Sequence, residues 1–209
     1  MRVLYTQEYY STERIVYQTT QKAARGVRQV AGLILEEAAL KHEARAMEYR
    51  REFLAAGERH INGSFGLEKY TDYREWLRAV DAFLDEKTSP WGVTATTYFT
   101  VRKGDGRVVG TLQLRHSLRG ELVHGGGHIG YAIRPTERGK GYAKQQLALA
   151  LEQADRLGIE KVMVSCDRRN AASAAVIRAC GGVLSWEGFS EIFHTGIQIY
   201  WIDRRIYQQ

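Results

Sequence analysis

One stretch, HIGYAIRPTERGKGYAKQQLALALEQADR over residues 128–156, constrains this chain more than any other. Its first seven residues read as a strand, Pro135 marks a turn, and Gly139 and Gly141 follow two residues apart. The helix beyond sets Ala143, Leu147, Ala150, Leu151 and Ala154 along one face and stops at Gly158. A strand handed to a helix through glycines also makes an anion site. Gly139 and Gly141 remove Cβ atoms where backbone approaches a ligand, and the free amides of Gly139, Lys140, Gly141, Tyr142 and Ala143 lie at the positive end of the helix. Arg138, Lys140 and Lys144 add formal charge, and a pyrophosphate is the anion that fits. The plainer alternative is that the glycines only close a surface turn. Two familiar phosphate loops fail on the letters. A Walker A loop needs Gly where Arg134 stands and Ser or Thr where Gly141 stands, and a dinucleotide fingerprint needs glycine in place of Lys144.

Around this unit the pattern alternates between sheet and helix. Leu33 to Leu35 reads as a short strand, residues 41–56 as a first helix, and residues 71–86 as a second, with Thr71 as its N-cap. Ala95 to Arg102 and Val108 to Arg115 are strands joined by the turn at residues 103–106, and three glycines at 125–127 precede the strand from His128 to Arg134. Lys161 to Cys166 is an apolar strand, Asn170 to Cys180 a short helix, and Val183 to Trp186 and Gly196 to Ile202 the last strands. The expected fold is α/β of the α+β kind, a mixed and mostly antiparallel central sheet of about six or seven strands flanked by helices. Trp76, Trp91, Trp186 and Trp201 are expected in core or cleft packing.

Charge invites a nucleic-acid reading, since 30 Lys+Arg against 24 Asp+Glu leaves +6. Residues 1–31, however, hold Arg2, Arg14, Lys22, Arg25 and Arg28 against Glu8 and Glu13, so +3 of the excess belongs to this Tyr- and Gln-rich stretch and +3 to residues 32–209. Residues 1–31 are expected to be a basic N-terminal extension and residues 32–209 the domain proper. A nucleic-acid partner is disfavoured, though an arm binding through residues 1–31 stays open. The opening MRVLYTQEYY lacks the apolar stretch of a secretory signal and no run is long enough to span a bilayer, so a cytoplasmic address with no membrane partner is expected. Cys166 and Cys180 do not form a metal-ligand or disulfide framework, and no metal is expected.

Arg138, Gly141 and Ala143 form R-x-x-G-x-A after Ile133-Arg134-Pro135, and Asn170 with Ser173 forms N-x-x-[AS] at the head of the next helix, with Gly181-Gly182 before a strand. This resembles the GCN5-related N-acetyltransferases (GNAT). The motifs cover residues 128–186, the looser order of elements extends over 32–209, and the wording of the motifs resembles a bacterial branch of that family. The resemblance implies acetyl-CoA as cosubstrate. Tyr131 and Ile133 would offer backbone groups to the pantetheine arm in a splay between the strands at His128–Arg134 and Lys161–Cys166. The amides of Arg138 to Ala143 would hold the pyrophosphate, Asn170 would bond the pantetheine amide, and Ser173 would sit near the adenosine-diphosphate half. Asn170 also makes sense as a simple N-cap.

The activity so implied is transfer of acetyl to a primary amine of a small molecule or peptide by direct attack, with a homodimer open. An amide around Tyr131 would meet the developing oxyanion. For the base, His128 is the first candidate, His116 the second, with Glu36 or Glu37 in reach. A hydrogen-bonded structural imidazole is the competing reading for either histidine. In the family a tyrosine commonly stands seven residues after the motif asparagine to protonate the thiolate, whereas this chain has Ile177. That departure motivates the alternative of a CoA-binding sensor without turnover.

Overall fold

A computed structural model describes residues 32–205; the extension expected over residues 1–31 lies outside the described residues. Strand β1 (Leu33–Glu37) leads into helices α1 (Glu43–Ala55) and α2 (Tyr73–Asp81), and strands β2 (Ala95–Arg102), β3 (Val108–Arg115) and β4 (Ile129–Ile133) follow. Helix α3 (Tyr142–Arg156), β5 (Lys161–Asp167), α4 (Ala171–Ala179), β6 (Val183–Ser190) and β7 (Thr195–Asp203) complete the order.

The described strands form two antiparallel sheets, β1-β2-β3-β4 and β5-β7-β6. The mixed, mostly antiparallel seven-strand fold follows the sequence reading, with the one expected sheet divided between β4 and β5. These two strands meet only at one end. His128 N–H donates to Met163 O at 2.8 Å, and Met163 N–H donates to His128 Nδ1 at 2.9 Å. Gly127, at φ +65°, permits the approach, because a Cβ there would stand 2.8 Å from Met163 O. Beyond this point no ladder joins the strands, and they splay.

One core fills the space between the sheets. Leu147, Ala150, Leu151 and Ala154 of α3 repeat at helical spacing and pack on Leu112, Leu114, Val162, Val164, Tyr200 and Ile202, all buried. A second core, with Tyr49, Phe53, Trp76 and Phe99, seats α1 and α2 on the opposite face of the first sheet. No helix among the described residues is long and apolar enough to cross a membrane.

Three local expectations are corrected. The cap of α2 is Asp72, not Thr71, since its Oδ1 accepts from Arg74 N–H at 2.8 Å. The helix ends at Asp81 rather than residue 86, tightening into a turn over Ala82–Leu84 that brings Phe83 within 4.4 Å of Phe65 and 4.7 Å of Trp91, ring to ring. Trp186 and Trp201 face outward on β6 and β7, at 44% and 37% exposure, whereas Trp76 is fully buried.

Candidate active site

The glycine loop is held from behind. Buried Arg134, at the end of β4, is clamped by Glu48 and Glu52 of α1 and donates to Val108 O at 3.1 Å. Glu52 also accepts from Thr136 N–H at 2.9 Å and Thr136 Oγ1 at 2.7 Å. Burial alone would raise the Glu52 pKa, but the Thr136 and Arg134 hydrogen bonds override it and hold the carboxyl at about 2. The chain therefore leaves β4 along a fixed path into Gly139 and Gly141, at φ +76° and +78°. Gly141 caps α3 with no side chain bonded to the first amides. A Cβ on either glycine would meet no protein atom within 4 Å, so the loop is a cradle open to a ligand.

Strand β4 turns its free backbone to the same space. Arg115 N–H donates to His128 O and Arg134 N–H to Val109 O, which places residues 128, 130, 132 and 134 as the members bonded to β3. By alternation the N–H and C=O of Ile129, Tyr131 and Ile133 point into the splay. A cavity of about 520 Å³ runs from Tyr131 and Ile133 past Gly139–Lys144 to Asn170 and Ser173. It gathers the expected cofactor residues except Lys140, which sits on the loop between two of them. Asn170 does cap α4, its Oδ1 accepting from Ser173 N–H at 2.9 Å, and it also lines the cavity. The Tyr131 hydroxyl lies 3.0 Å from Ser173 Oγ, and burial raises its pKa above the ordinary phenol value. The free backbone, open cradle and elongated cavity fit a CoA molecule.

Two of the three expected cations are already paired. Arg138 makes a two-pronged bridge to Glu58, at 2.6 and 2.8 Å, and Lys140 Nζ lies 2.8 Å from Glu137. Ile177 is fully buried in the core, so the position of the family's tyrosine is filled by packing.

A second cavity, of about 650 Å³, opens on the other side of β4, from Ile129 and Gly130 to Trp91, Arg115 and Phe193. His60 and Asn62 line both cavities. They are pressed against β4 by Gly63, at φ +70°, where a Cβ would stand 2.3 Å from Gly130 O. Thr111 Oγ1 fastens the loop by donating to Asn62 O at 3.1 Å. His60 Nδ1 lies 3.2 Å from Glu68 Oε1, and the buried Glu68 carboxylate also accepts Ile61 N–H at 3.2 Å. Sequence reading missed this pair. The histidine and glutamate sit eight residues apart, one in an irregular loop and the other in the single 3-10 turn Leu67–Lys69, where no periodicity marks a shared face.

The histidines singled out from the sequence lie elsewhere. His128 lines neither cavity: it is buried, its Nδ1 is occupied by Met163 N–H, and burial, helped by nearby Arg115, lowers its pKa to about 4. His116 has Thr94 Oγ1 and Thr96 Oγ1 on its two ring nitrogens, each at 3.0 Å, and burial lowers its pKa. Both are bound as structural imidazoles. Glu36 is engaged by Lys41 and His42, and neither it nor Glu37 lines a cavity. Among the described residues no group of three or more His, Cys, Asp or Glu could hold a metal ion.

His128 carries a pH prediction. Between its unfolded pKa near 6.5 and its folded value of about 4, the folded protein binds fewer protons than the unfolded chain. Its contribution is complete above pH 6.5 and is lost as pH falls toward 4. Chemical unfolding at pH 7 and pH 4 should show the native protein losing about 3 kcal/mol more than His128→Gln. Equal losses would refute the assignment.

The comparisons with known proteins agree with this geometry. The model of the acetyltransferase (GNAT) domain matches residues 33–183. No curated protein matches the chain by sequence. Among solved structures, an acetyltransferase from Salmonella typhimurium that modifies the N-terminal serine of ribosomal protein L7/L12 superposes with a TM-score of 0.60 at 18% identity, over 83% of this chain and 95% of that one. The putative acetyltransferase yncA from Salmonella typhimurium, with its cofactor acetyl-CoA, gives 0.57 at 13%, over 82% and 94%. The spermidine/spermine N-acetyltransferase SpeG from Vibrio cholerae gives 0.58 at 15%, over 84% and 95%. These superpositions, at identities below 20%, establish a shared fold. With a glycine cradle, a splayed strand pair and a domain match spanning most of its length, the chain belongs to the GNAT family of acetyltransferases.

Proposed function

We propose that the protein transfers the acetyl group of acetyl-CoA to the primary amine of a small molecule or peptide by direct attack. The observation that carries this reading is the meeting of two cavities across β4, one suited to CoA and one free for an acceptor, with His60 and Asn62 lining both. The similarity to yncA, which holds acetyl-CoA, supports the choice of cosubstrate. In this arrangement the amides of residues 139–143 bind the pyrophosphate, and the free backbone of Tyr131 and Ile133 extends the sheet edge with the pantetheine arm.

The amine nitrogen attacks the thioester carbonyl carbon, so a C–N bond forms and the C–S bond breaks. The Tyr131 amide, directed into the splay, donates to the oxyanion. The amine's proton passes to His60, oriented by Glu68, in place of His128, which lines neither cavity and has Nδ1 occupied, and of His116, which has both ring nitrogens occupied. The departing thiolate takes its proton from the Tyr131 hydroxyl, backed by Ser173, which replaces the side chain missing at Ile177.

Acetyl-CoA at about a hundred times its Kd should stabilise the fold by about 2.7 kcal/mol, visible as a rise in Tm of several degrees, and a panel of primary amines should release free CoA thiol. No thermal shift with any acyl-CoA would overturn the proposal. A shift without thiol release from any amine would leave a CoA-binding sensor instead.

A further inference from the structure

The acceptor cavity has an unbalanced charge. Arg115, the last residue of β3, lines it with its guanidinium 4.7 Å above the ring of Trp91. Nη1 is used by two loop carbonyls, Gly126 O at 2.9 Å and Gly127 O at 3.0 Å, while the buried Nε has no hydrogen-bond partner among the described residues. No carboxylate among the described residues comes within ion-pair distance, and burial alone moves its pKa down, to about 10. Lys69, also on the cavity wall, is exposed and has no ion pair among the described residues. The acidic side chains nearby are already committed. Asp167 is held by Arg169 and by Thr195 Oγ1, at 2.8 and 2.9 Å, and Glu68 by His60 and Ile61 N–H.

A half-buried guanidinium without a counter-ion is costly unless a ligand supplies one, and a carboxylate is the anion its planar fork matches best. The location narrows the ligand further. A Cβ on Gly130 would stand 3.6 Å from Arg115 Nη2, which puts the guanidinium beside the strand residue where the two cavities meet. An anion seated there is only a few bonds from an amine presented to the thioester. Phe65, Tyr70 and Phe193 supply apolar wall for a side chain. The same cations disfavour a polycation such as spermidine.

Resting on the acetyltransferase reading above, we propose that the acceptor is a free amino acid or a close analogue, an amine with its own nearby carboxylate, seated on Arg115 with Lys69 adding attraction at the rim. Arg115 is thus a specificity-determining residue for the acceptor and has no part in holding CoA.

The test pairs each proteinogenic amino acid with its carboxamide, and adds spermidine, in a thiol-release assay on the full chain with acetyl-CoA. At least one free amino acid should exceed its carboxamide in kcat/KM by about 100-fold, the scale of losing one partner of a desolvated charge pair. Arg115→Gln should erase that preference through KM with kcat largely kept, and Arg115→Lys should restore part of it. Since Arg115 also holds the turn at Gly126 and Gly127, Lys69→Met, at an exposed position, gives a second variant in which the preference for the free acid shrinks. Carboxamides or spermidine turned over as well as free acids would overturn the proposal. Calorimetry of the same pairs against the CoA complex reads it without turnover. Selective binding of a free acid upholds it even if the chemistry proposed above fails, and equal or absent binding sinks it.

Discussion

Replacing His60 with alanine should lower kcat for acetyl transfer by about a hundred- to ten-thousand-fold, the usual contribution of a positioned general base, while the Kd for acetyl-CoA should barely move. The separation follows from position. His60 lines the CoA cavity without belonging to the cradle of residues 139–143 that is proposed to hold the pyrophosphate. Glu68→Gln should fall between native and His60→Ala. It keeps a hydrogen bond to Nδ1 but removes the negative charge that steadies the imidazolium, and it alters the contact with Ile61 N–H. His128→Gln is the control, expected to change stability against pH and to leave the rate near native. Stopped-flow or single-turnover thiol release checks all three. A full rate in His60→Ala with a collapsed rate in His128→Gln would return the base to His128.

The contrast between these histidines explains what could be read from the letters. The glycine loop, the helix behind it and the Asn170 cap were legible because each is local: its chemistry is fixed by residues within a turn or two. The strand order was legible from runs of β-branched and apolar residues, and the splay only from the family resemblance, since no letter marks where a ladder stops. The sequence points to His128 as the base because it stands at the start of a motif strand, and passes over His60 because it lies in a loop without pattern. What distinguishes them is tertiary. Met163 N–H closes off one imidazole from β5, and Gly63 packs the loop holding the other onto Gly130. Arg138 and Lys140 do flank the glycine loop, yet their carboxylate partners, Glu58 and Glu137, were invisible from composition. The net charge of +6 thus says little about which cations lack an ion pair among the described residues, and one of these on the wall of the second cavity, Arg115, sits at the end of an ordinary strand.

Gly141→Ala should cut affinity for acetyl-CoA by about 100-fold, equivalent to about 2.7 kcal/mol, while costing the fold only about 1–2 kcal/mol. Two effects combine in that substitution, and the helix itself contains the means to separate them. Gly141 opens α3 at φ +78° and Gly158 follows its last turn at φ +71°. Neither would press a Cβ against any protein atom within 4 Å. Gly158→Ala therefore carries the same left-handed backbone penalty as Gly141→Ala, with the methyl group released into solvent at the far end of the helix. In Gly141→Ala the methyl group projects beside the free amides of the α3 N-terminus, where a pyrophosphate must come within hydrogen-bond distance. The two variants should unfold at similar denaturant midpoints. Only Gly141→Ala should lose the thermal shift and the calorimetric signal with acetyl-CoA. Equal binding by both would mean that the glycines merely close a turn and that the phosphates bind elsewhere. Equal loss by both would mean that the helix transmits strain along its length. A loss confined to Gly141 ties the anion to the cradle that the chain builds between β4 and α3.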